Sequence, residues 1–81
     1  MDSIELGNHA KMIITNKAYK EVFSTVKQKY MEALVKTGSH QAELRETLYN
    51  TIVALTDVKK EIESLAQAGD NAAFTKEKED L

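Results

Sequence analysis

Residues 44–65, LRETLYNTIVALTDVKKEIESL, decide the fold. Within them Leu44, Leu48, Thr51, Leu55, Val58, Ile62 and Leu65 recur at alternating spacings of four and three. This is a heptad seam, read d-a-d-a-d-a-d, with Thr51 as its only polar member. The spacing sets these side chains in one stripe along a long helix, and such a stripe needs a cover.

The nearest cover lies upstream. Tyr19, Phe23, Val26, Tyr30 and Ala33 repeat the same alternation, with Val22 and Leu34 widening the stripe. The second helix is expected over 17–36, roughly 30 Å long. Between the seams stands Lys36-Thr37-Gly38-Ser39. Gly38 suits a left-handed position after a helix end, and Ser39 suits the following N-cap. So short a connection makes the helices antiparallel. The third helix is expected over 40–68, ending at Gly69-Asp70-Asn71. It outruns the second by about two turns.

A short first helix, 3–14, can fold back over that surplus; the alternative is cover by another chain. Asp2 and Glu5 have capping-box spacing, and Leu6, Ala10, Ile13 and Ile14 form an apolar face. Gly7 within it is either tolerated at about 1 kcal/mol or marks close approach to another helix. Thr15 or Asn16 caps the next helix. The fold class is therefore all-α, an antiparallel helical hairpin with a short N-terminal helix. One helical domain spans 1–69, and 70–81 reads as a polar tail in which only Phe74 is large and apolar.

Composition narrows the function classes. The 81 residues contain no cysteine and no proline, so disulfides and thiolate metal sites are excluded and no helix is forced to break. The formal charge of −2 argues against nucleic-acid binding by bulk charge. No apolar run approaches the roughly 18 residues of a membrane span, and Met1–Ala10 lacks a basic signal-type start. A cytoplasmic protein is the expectation.

Constellations for chemistry are sparse. His9 and His40 fall on different elements, and no Glu-x-x-His motif accompanies Glu43, Glu46, Glu61 and Glu63. Ser3, Ser24, Ser39 and Ser64 sit in no nucleophile motif. The expectation is no enzyme activity, no cofactor, no metal and no small-molecule substrate. Lys17, Lys20, Lys27, Lys29 and Lys36 outnumber Glu21 and Glu32 on the second helix. They either complement the acidic third helix or form a basic stripe, for which Lys20 and Lys27 are the candidate nucleic-acid contacts. The stronger signal is the seam. Ile52, Val53, Leu55, Val58, Ile62 and Leu65 are the candidate interaction residues, for a second copy or another protein, because Ile52, Val53, Ala54 and Ala66 widen the apolar surface beyond one partner's reach.

The order of features resembles small helical-hairpin proteins of unknown function encoded by tailed bacteriophages. The matching positions are Gly7, Ala10, Ile14 and Asn16, then Tyr19 and Glu32-Ala33-Leu34, then Leu48, Leu55, Ile62 and Gly69. Thr37-Gly38-Ser39 stands where that pattern often has a proline or aspartate-rich loop. The resemblance supplies no catalytic residues and implies an oligomerising, virion-associated or assembly protein. An inhibitor or adaptor of a host protein complex, and a nucleic-acid-binding regulator, are the alternatives.

Overall fold

The computed structural model describes residues 1–79 as three helices: α1 (Ser3–Thr15), α2 (Lys17–Val35) and α3 (Ala42–Glu79). The class is all-α, as the periodicity requires. The molecule is a rod of 64 × 22 × 17 Å whose length is that of α3. With 38 residues, α3 spans about 57 Å, and α1 and α2 laid end to end nearly match it.

One residue separates α1 from α2. Asn16 is extended (φ −70°, ψ 124°), and its N–H donates to the Ile13 carbonyl, closing α1. Its side-chain Oδ1 accepts from the Tyr19 N–H at 2.9 Å, opening α2. Asn16 rather than Thr15 is thus the cap, and the Thr15 hydroxyl donates back to Lys11 O within α1. At the other end of α1, Asp2 Oδ1 accepts from the Glu5 N–H at 2.8 Å.

The turn between α2 and α3 departs from the sequence expectation. No glycine among the described residues has a positive φ, so Gly38 is not a left-handed cap. Ser39 does not cap α3, which opens at Ala42. Side chains build the turn instead. Gln41 Oε1 accepts from the Gly38 N–H at 2.8 Å, while the Gly38 carbonyl accepts from the Gln41 N–H. Arg45 reaches back one turn, donating through Nε to Thr37 Oγ1 at 3.1 Å and through Nη2 to the Gly38 carbonyl at 2.6 Å.

A second departure is larger. Gly69-Asp70-Asn71 does not end α3, and residues 72–79 are helical rather than a separate tail; Asp80 and Leu81 lie outside the described residues. The reason is packing. Gly7 and Gly69 face each other where α1 crosses α3. A Cβ on Gly7 would lie 2.5 Å from Gly69 Cα, and one on Gly69 would lie 2.6 Å from Gly7 Cα. Only hydrogen atoms fit in that space, so close approach, the second reading of Gly7, is what the fold uses. Ala10 and Ala66 flank the crossing and are the buried apolar side chains among the described residues. Small residues on both helices let the backbones nearly touch, the device used where helices lack bulky knobs. Lys11 Nζ pairs with Asp70 Oδ1 at 3.0 Å beside the crossing.

Candidate interaction surfaces

α1 and α2 in turn run antiparallel along α3. Ser3 and Gly7 meet Gly69 and Leu65, Ile14 lines a groove with Glu63, Phe23 meets Lys59, and Leu34 lines a hollow with Ala42 and Arg45. With only one helix against α3 at each level, one side of each helix is covered. The seam of α3 is consequently only part-sheltered: Leu48, Thr51, Ile52, Leu55, Ile62 and Leu65 are half-buried. Among the described residues no large side chain is fully buried.

The six candidate interaction residues therefore divide. Ile52, Leu55, Ile62 and Leu65 are half-buried within the chain, whereas Val53 and Val58 are 39% and 56% exposed. These two stand on opposite flanks of the seam, since five residues of helix rotate a side chain by about 140°. On the Val58 flank, the heptad row Leu44, Thr51, Val58 and Leu65 carries no charge over about 31 Å, and Leu44 is 46% exposed. The same flank continues onto α2 at Val22, which precedes the Phe23–Lys59 contact and is 62% exposed. On the Val53 flank, Glu46 and Lys60 interrupt the apolar positions Tyr49 and Val53. This distinction was hidden in the sequence. A heptad seam announces a stripe, but which edge of the stripe stays open depends on where the partner helix sits.

A second feature lies at the junction of the arms. Ile14, Tyr19, Lys20, Phe23, Ser24, Lys27, Lys59 and Glu63 line a groove of about 560 Å³. The two candidate nucleic-acid contacts, Lys20 and Lys27, are thus brought together. Lys59 joins them from α3, its Nζ 5.4 Å from the centre of the Phe23 ring. Tyr19 and Phe23 adjoin, with ring centres 5.7 Å apart. The Tyr19 hydroxyl is sealed from water and has no hydrogen-bond partner among the described residues. Lys59 is absent from any reading of α2 alone; only the pairing of the helices places it beside Lys20 and Lys27.

The histidines and carboxylates stay apart. His9 borders a shallow surface hollow with Met12, Ile13, Asn16 and Tyr19, and His40 lies in the turn. Glu43, Glu46, Glu61 and Glu63 are exposed, and among the described residues no three metal-binding side chains converge. No helix among these residues is long and apolar enough to cross a membrane. Comparison with protein-family models, curated proteins and solved structures finds no match to this chain.

Proposed function

We propose that this protein is a noncatalytic, self-associating helical module that works through contacts with other copies of itself. The observation that supports this is the surface the folded chain leaves open. A compact protein of 9.1 kDa would expose about 4,900 Å², whereas this chain exposes 6371 Å². Its radius of gyration is 17.7 Å, against about 12 Å for a compact chain of this length. The difference in area, roughly 1,500 Å², exceeds the roughly 800 Å² that one partner contributes to a standard interface. The flank of Leu44, Thr51, Val58 and Val22, whose row on α3 carries no charge, is the face we assign to the second copy. Two such chains packed face to face place four helices in any cross-section, in which heptad positions interlock as knobs in holes. The resemblance to tailed-phage hairpin proteins supports an assembly or virion-associated role for such a module.

Paired lysine substitutions test the assignment. Val58→Lys places a charge at the centre of the assigned face and is expected to weaken association at least tenfold by sedimentation. Val53→Lys, on the opposite flank, is expected to leave it unchanged. Dissociation by Val53→Lys with Val58→Lys indifferent would refute the choice of face. If the parent and both variants sediment as monomers, self-association itself is refuted.

A further inference from the structure

We infer that the groove between α1, α2 and α3 binds a single-stranded nucleic acid, with lysines on its phosphates and the aromatic pair against a base. This inference is independent of self-association, because the groove lies on neither Val22 nor Val58.

Two observations carry it. First, Lys20, Lys27 and Lys59 line one groove against a single carboxylate, Glu63. Among the described residues the only ion pair is Lys11–Asp70, so none of the three ammonium groups is neutralised. This gathers positive charge locally on a chain whose overall charge is −2. Second, the groove has an aromatic wall. Tyr19 and Phe23 supply flat apolar surface, and the Lys59 ammonium already occupies the Phe23 face. A base carries its own π-face to such a wall, while the displaced lysine finds a phosphate.

Spacing distinguishes a strand from a lone phosphate. Lys20 and Lys27 are two turns apart on α2, about 10 Å along its axis. Charges so separated are too far apart for one compact anion and suit different phosphates of one extended strand. A duplex is disfavoured because its base faces are stacked away from the protein, whereas a single strand presents them.

The test is fluorescence anisotropy of a labelled oligothymidylate of about ten nucleotides, titrated with the full chain from low to physiological salt. Three phosphate contacts predict a slope of about −2 in log K against log salt. Lys20→Gln with Lys27→Gln should weaken binding at least tenfold and reduce the slope to about −0.7. Lys17→Gln with Lys36→Gln, outside the groove, should change affinity less than about twofold at the same salt. Three outcomes overturn the inference. They are no saturable binding by the parent near 50 mM salt, equal losses in the two lysine pairs, or an oligoglutamate peptide that competes as well as unlabelled oligothymidylate. The last would mean the rings contribute nothing and the groove takes an acidic peptide.

Discussion

Replacing Gly69 with alanine sets two magnitudes against each other. In an open helix the change stabilises by about 1 kcal/mol, because alanine loses less backbone entropy than glycine. Here the added Cβ would stand 2.6 Å from Gly7 Cα and 3.0 Å from the Ser3 carbonyl oxygen. Both neighbours are backbone, so no side-chain rotation relieves the contact. α1 must retreat by about 1 Å to restore ordinary carbon–carbon separation, and a retreat of that size forfeits much of the dispersion contact between the helices. Overpacking of this kind costs about 1–3 kcal/mol, and a backbone-to-backbone clash belongs at the upper end. The net expectation is a loss of about 2 kcal/mol after the propensity gain, or a fall in Tm of about 8–16 °C for a chain this short. Thermal unfolding followed by circular dichroism, at one fixed protein concentration, measures it. Gly7→Ala fills the same gap from the other side and should cost a similar amount. The double variant should cost less than the two singles together, since one retreat of α1 accommodates both methyls. A higher Tm for Gly69→Ala would show that helix propensity alone governs this position and that the helices do not cross there.

Other substitutions probe the remaining joints. Gly38→Ala should be neutral or stabilising by up to about 1 kcal/mol, because Gly38 lacks a positive φ and its Cβ would meet only side chains, the movable His40 ring closely and Gln41 Oε1 at an ordinary 3.7 Å; a loss above about 1 kcal/mol in chemical denaturation would restore a left-handed cap. Asn16→Ala removes the acceptor for the Tyr19 N–H and should cost about 1 kcal/mol, with Asn16→Asp retaining most of it. Lys11→Ala breaks a half-exposed ion pair with Asp70 and should cost less than about 1 kcal/mol, diminishing further at high salt.

The sequence disclosed the hairpin because two apolar stripes with one period, separated by a short polar turn, have few other ways to be covered. It placed the break between α1 and α2 to within a residue, since a short polar side chain at Thr15-Asn16 interrupts both patterns. The end of α3 was concealed by glycine's two roles. At Gly69 the same residue type that terminates helices permits a helix crossing instead, and only the position of Gly7 in space decides between them. Gly38 misled in the same way: Arg45 from within α3 and Gln41 just before it hold the turn through side chains, which no local reading of Thr37-Gly38-Ser39 reveals. The groove was half visible. Lys20 and Lys27 share a face of α2 by spacing, but the meeting of Lys59 with Phe23 depends on the stagger of two helices, and heptad patterns fix faces more firmly than stagger.

The most direct measurement is the native mass of the parent chain by sedimentation equilibrium over a wide concentration range. Self-association through the open flank predicts a defined multiple of 9.1 kDa that holds at high concentration and dissociates on dilution. A mass of 9.1 kDa throughout would contradict it.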